Sequence, residues 1–131
     1  MQQPEPSLQT IDNYNDEQRL TYLIQQILNH NEVWLLTDEH GCVMLNTEDE
    51  DCVPVWPSKV LAQAWATSEW QHCQAQAISL KDWQNKWTPG LIEDDLAIVA
   101  CPNSQEQGII LDPQELADML VKAANKRQRK Q

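Results

Sequence analysis

The sequence has no phenylalanine; its aromatic positions fall to six tryptophans and two tyrosines. Glycine is nearly absent too, standing only at positions 41, 90 and 108. Glycines this far apart cannot spell G-x-G-x-x-G or a P-loop, which need close spacing to bring backbone amides against phosphate. That excludes nucleotide binding by a glycine cradle. No serine lies in a G-x-S-x-G elbow and no H-E-x-x-H exists. The four cysteines (Cys42, Cys52, Cys73 and Cys101) include no C-x-x-C pair. They read as small buried hydrophobes of a reducing compartment rather than a disulfide framework. No apolar run approaches the ~18 residues of a membrane span. The opening Met1-Gln2-Gln3-Pro4-Glu5-Pro6 has no basic or apolar signal region. The expectation is a cytoplasmic protein without membrane attachment, its 131 residues enough for one domain with its own core.

Cations are scarce in most of the chain. Residues 1–121 hold four basic side chains (Arg19, Lys59, Lys81 and Lys86) against all 20 acidic ones, a net of −16. Five more cations follow Val121 and bring the total to −11. A body this acidic repels phosphate backbones, so nucleic-acid binding is disfavoured outside the tail. The tail reads as a solvated helix end whose cations suit the macrodipole before the chain frays.

Residues 1–12 are polar and Pro/Gln-rich and are expected to be disordered, as is the basic tail 125–131. Residues 13–124 are expected to form one domain. Asn15 with Gln18 spells a capping box, followed by an apolar stripe of Leu20, Leu23, Ile24, Ile27 and Leu28. Val33–Thr37 and Cys42–Leu45 read as a hairpin around Asp38-Glu39-His40-Gly41. Val53–Trp56 reads as a strand stopped by Pro57. Ser58 then caps a helix with Val60, Leu61, Ala64 and Trp65 inward. Gln74–Ile78 reads as a strand, and Ser79 opens a short helix that Thr88-Pro89-Gly90 is expected to break. Leu96–Cys101 is an unbroken apolar run, as in a strand covered on both faces. Gly108–Leu111 follows as a strand. Asp112-Pro113-Gln114-Glu115 starts a final helix with Leu116, Leu120, Val121 and Ala124 inward. The predicted fold class is α+β: a single mixed sheet of about five strands with three to four helices packed on it. Strands separated by the helices at Ser58 and Ser79 should run parallel.

Few constellations carry chemistry. His40, Cys42, Cys52, His72 and Cys73 offer imidazole and thiolate ligands. Zinc ligands usually come in pairs from a tight knuckle, and adjacent His72 and Cys73 would point apart in regular structure. Neither a metal nor a cofactor is expected. The acidic run Glu48–Asp51 lacks the central glycine and closing Glu of an EF-hand loop and reads as solvated. Cys101, ending a buried strand beside Pro102, is the better-placed thiol for a nucleophile, given a neighbour to lower its pKa. Asp94 and Asp95, near Glu93, could be paired carboxylates, though such groups at a loop boundary usually only solubilise. Trp34, Trp65 and Trp83 fall at core-facing positions. Trp56, Trp70 and Trp87 flank turns, where a half-exposed indole can anchor an interface.

At several landmarks the chain resembles a bacterial family catalogued as domain of unknown function 2750. The matching residues begin with Arg19-Leu20-Thr21-Tyr22, Val33-Trp34-Leu35-Leu36 with Gly41, and Val53-Pro54-Val55-Trp56-Pro57. They continue through Ala62, Ala66, Trp70, Ile78-Ser79-Leu80 and Trp87-Thr88-Pro89-Gly90-Leu91 to Cys101-Pro102, Gly108 and Pro113. The resemblance spans about residues 15–120. It departs from the family pattern at Cys101, where an aromatic is favoured. From Val53 onward the chain also looks, more loosely, like the N-terminal domain of the enhanced-serine-sensitivity protein family. Neither resemblance implies an activity or a catalytic residue.

The functional expectation is therefore a non-enzymatic module that binds a basic protein through an acidic surface with tryptophan anchors. The candidate residues are Trp56, Trp70, Trp87, Glu93, Asp94 and Asp95. Within that class an immunity or antitoxin-like role fits a small acidic domain. From another class, a small-ligand binder or enzyme would use a pocket near Cys101, Asp94 and Trp56.

Overall fold

The computed structural model describes residues 8–46, 51–67, 70–103 and 108–129. A short helix, α1 (Leu8–Asp12), leads into α2 (Asp16–His30). The Asn15–Gln18 capping box forms as predicted, the Asn15 side chain accepting from the Gln18 amide and the Gln18 side chain accepting from the Asn15 amide. Strands β1 (Glu32–Asp38), β2 (Gly41–Cys42), β3 (Leu45–Asn46) and β4 (Asp51–Val55) follow. Next come α3 (Lys59–Trp65), β5 (Gln74–Ser79), α4 (Leu80–Asp82), a π-helical turn (Trp83–Trp87) and α5 (Thr88–Glu93). Strands β6 (Ala97–Ala100) and β7 (Ile109–Leu111) precede α6 (Pro113–Arg129). No helix of the described residues is long and apolar enough to cross a membrane.

The class is α+β, as expected. The strands divide into two ladders, β2-β1-β5 and β3-β4-β6-β7, where the sequence suggested a single sheet of about five strands. The ladders meet at one antiparallel pair, Trp34 and Trp56, which exchange N–H···O bonds of 3.1 and 2.9 Å. The shared edge of β1 explains the split. Its end at Thr37 and Asp38 pairs with the hairpin return, leaving only Trp34 for Trp56. Strands β4 and β6 pair in parallel, and β5, like Trp56, runs antiparallel to β1. So β4, β5 and β6 point one way, as their helical crossovers predicted.

β6 is buried along its whole length between β4 and β7, in keeping with its apolar run. The core continues into Leu23 and Ile27 of α2, Leu61, Ala62 and Trp65 of α3, and Leu116 and Leu120 of α6.

Some boundaries differ from the sequence reading. Residues 8–12 are helical and Ile11 is fully buried, so the domain begins before residue 13. The tail is helical to Arg129, and the Arg127 guanidinium bonds the Asn29 side chain and the Gln25 carbonyl of α2. Val60 and Val121, expected inside, are 58% and 54% exposed, because each stripe turns one position round the helix to put Ala62 and Ala117 inward. Thr88-Pro89-Gly90 does not break the helix. The Thr88 amide reaches back five residues to the Trp83 carbonyl, and this widened turn absorbs the backbone that proline would disrupt in a regular helix.

Candidate functional site

Parallel strands give the sheet two chemically different ends. Trp56 and Cys101 follow β4 and β6 at one end, where the Cys101 amide donates to the Val55 carbonyl at 2.8 Å. Trp56 is fully buried, because it closes the seam between the ladders and packs on Trp65, ring centroids 5.1 Å apart. It cannot be the exposed anchor the sequence suggested. Trp65 is fixed by its indole N–H donating to the Asn103 carbonyl at 2.7 Å, and Trp70 lies half-buried on Trp65 with centroids 5.9 Å apart. Trp87 is also half-buried and stacks on buried Trp83, rings 12° from parallel. Among the described residues the indole N–H groups of Trp56 and Trp83 find no hydrogen-bond partner, so packing holds both rings.

Cys101 is fully buried and adopts φ +46°, a left-handed conformation that a side chain disfavours. Burial pushes its thiol up to about 12, against a smaller opposing pull from Arg19. A thiol that keeps its proton at physiological pH is no nucleophile. Asp94 lies before β6 and Cys101 after it, so the strand separates them by roughly 13 Å at about 3.3 Å per residue. One pocket near Cys101, Asp94 and Trp56 is therefore not formed. Arg19 is a feature sequence reasoning missed. It is 3% exposed, its guanidinium donating to the Tyr14 carbonyl and the Asp16 carboxylate while Nε has no partner among the described residues. Its position just outside the apolar stripe of α2 was the available signal.

The other end of the sheet is acidic. Here β4, β5 and β6 begin and β1 finishes, which gathers Asp38, Glu39, Asp51 and the Glu93-Asp94-Asp95 run at one edge. Residues 48–50 of the Glu48–Asp51 run lie outside the described residues; Asp51 is exposed. Glu93, Asp94 and Asp95 are exposed, and none is in an ion pair among the described residues. Ile92 beside them is 48% exposed. Asp95 has φ +59° and closes α5 in a Schellman pattern: its amide donates to the Ile92 carbonyl, and that of Leu96 to the Leu91 carbonyl. Glycine is the usual residue there, and cations are the usual charges at a helix C-terminus. This helix end has neither.

At the same edge Asp38, His72 and Cys73 bring three potential ligand atoms within 4.8 Å of one another. The expected divergence of His72 and Cys73 does not occur, because both precede β5 in a turn rather than lying in a strand. The His40 amide, donating to Asp38 at 2.8 Å, holds the carboxyl below the usual carboxylate range, and the nearby imidazoles add to this. Burial pushes the Cys73 and Cys42 thiols up, and the Asp38 charge adds to both.

A family profile described as "Protein of unknown function (DUF2750)" matches residues 20–120. No curated protein and no solved structure matches the chain, and the looser resemblance to the enhanced-serine-sensitivity family is not shown.

Proposed function

We propose that this chain, which belongs to the DUF2750 family of proteins of unknown function, is a cytoplasmic, non-enzymatic module that binds a basic protein surface through the acidic end of its sheet. The observation that carries the reading is the end of α5. Three exposed carboxylates, without ionic partners among the described residues, sit where the helix dipole is negative, one of them in a left-handed conformation. Each like-signed charge at such a terminus costs about 0.3–1 kcal/mol at low ionic strength. The fold gives up stability to keep negative charge there, which suits a surface whose charge serves a partner. Exposed Ile92 offers an apolar contact inside the acidic rim. The half-buried Trp70 and Trp87 serve this reading as a rigid frame rather than as anchors. A negative edge speeds encounter with a cationic partner, and the advantage fades as salt shortens the Debye length.

The test is capture from cell extract by the immobilised protein, followed by titration of the purified pair. A discrete basic protein should bind at low salt and be released as salt rises. The triple reversal Glu93→Lys/Asp94→Lys/Asp95→Lys should weaken the binary affinity at least tenfold, and Glu17→Lys on α2 should leave it unchanged. Lysines suit a helix C-terminus, so lost binding could not be blamed on unfolding. Capture indifferent to salt and to the reversal would refute the proposal.

A further inference from the structure

We infer that Asp38, His72 and Cys73 form a binding site for a borderline-soft divalent cation, Zn2+ in the first place. The site is independent of the acidic run at α5. The antiparallel register of β1 and β5 creates it. Thr37 pairs with Gln74, so the next positions outward, Asp38 and Cys73, face each other where the ladder ends. The turn before β5 is fixed by the Cys73 amide donating to the Trp70 carbonyl at 2.9 Å and by the Gln63 side-chain N–H donating to the Cys73 carbonyl at 3.1 Å. Held this way, Cys73 is buried while the neighbouring imidazole swings over its sulfur.

The distances fit a metal better than they fit direct bonds. His72 Nε2 lies 3.8 Å from Cys73 Sγ and 3.7 Å from Asp38 Oδ2. The first is at most a weak, long hydrogen bond to sulfur, and the second is too long for a direct hydrogen bond. A tetrahedral zinc with bonds of about 2.0–2.3 Å separates its ligand atoms by roughly 3.3–3.6 Å. Bringing His72 to both partners needs shifts of a few tenths of an ångström, within reach of an imidazole whose side chain is 61% exposed, and the Asp38 and Cys73 atoms lie within 4.8 Å of each other.

The donor set selects the ion. Thiolate with imidazole favours zinc-like metals over Ca2+ or Mg2+, which want oxygen ligands alone. Asp38 also has the supporting contact that metal carboxylates usually show: Oδ1 accepts from the His40 amide, which leaves Oδ2 turned toward His72. Three protein ligands leave the fourth position to water, on the side where His72 meets solvent. Binding converts the Cys73 thiol to a zinc-bound thiolate and releases one proton to the buffer.

The experiment is a zinc titration of the full chain after chelator treatment, with Co2+ as a spectroscopic probe. Near-stoichiometric uptake of one Zn2+ is expected, and Co2+ should give a thiolate charge-transfer band. His72→Ala, at an exposed position that leaves the core intact, and Cys73→Ser should each lower zinc affinity at least tenfold, and Cys73→Ser should remove the band. Cys101→Ser, outside the cluster, should change neither. Absence of stoichiometric zinc, or uptake unaffected by His72→Ala, would overturn the assignment. The Glu93–Asp95 reversal leaves these ligands untouched and should leave zinc uptake intact, so this site and the protein-binding proposal fail separately.

Discussion

Replacing Asp95 by glycine removes two unfavourable features of the α5 terminus at once. Asp95 holds φ +59°, a conformation that costs an L-residue roughly 1–2 kcal/mol, with aspartate at the lower end because its side chain tolerates it. Its carboxylate also faces the negative pole of the helix, worth about 0.3–1 kcal/mol at low ionic strength. Against these gains, glycine frees the unfolded chain by about 0.4–1 kcal/mol. The balance is a stabilisation of ~1 kcal/mol, or about 3–5 °C in Tm for a domain of this size. Asp95→Asn keeps the tolerance for left-handed backbone and removes only the charge, so it should gain about half as much. Asp95→Ala loses the charge but strains the backbone further and should gain nothing. Urea denaturation with an unchanged m-value would measure the series, expected in the order Gly, Asn, then wild type and Ala. An Ala variant more stable than Gly, or a Gly variant less stable than wild type, would refute the reasoning.

Cys101 makes the protein sensitive to alkali. Its pKa rises on folding from 9.0 to about 12, so above pH 9 the unfolded chain sheds a proton that the folded chain keeps. The stability is fully present below pH 9 and is lost progressively up to pH 12, at about 1.4 kcal/mol per pH unit. Urea melts of wild type against Cys101→Ala should show wild type losing ground over that window, and a constant gap would contradict this burial effect. At Gly108 an added Cβ would lie 2.9 Å from the Ala100 carbonyl oxygen and 3.0 Å from Val99 Cγ1. Gly108→Ala should therefore destabilise by about 1–3 kcal/mol in the same assay, and a neutral result would mean that the β6–β7 connection yields freely.

What was legible in the sequence was mostly local. The Asn15 box, the serine caps at Ser58 and Ser79, and the apolar run of β6 each depend on residues a few positions apart, and all formed as read. Trp56 was misread because its surroundings come from β1 and α3, which a scan of its neighbours Pro54 and Pro57 cannot see. The burial of Arg19 goes with bonds to the Tyr14 carbonyl and the Asp16 carboxylate, which a scan for apolar stripes does not reveal. For the Asp38–His72–Cys73 group all the residue types were visible. Their convergence depends on where a ladder ends, which periodicity does not reveal. The acid at Glu93–Asp95 was visible too, but not its place at the C-terminus of a helix that continues through Pro89.

The π-helical turn makes α4 and α5 sensitive to residue count rather than residue type. A hydrogen bond that reaches back five residues instead of four inserts one position into the helix, and each position of a regular helix advances about 100°. Leu91, now 5% exposed, meets the core because of that extra step, and the same step sets the azimuth at which Ile92 and the three carboxylates leave the helix. A chain one residue shorter between Trp83 and Trp87 would lose the widened turn that accommodates Pro89, and it would turn Leu91 about a quarter-circle out of the core and carry the acidic terminus to another side of the molecule. The segment works as a phase shifter: it lets one helix obey the packing of Trp83 at its start and of Leu91 at its end.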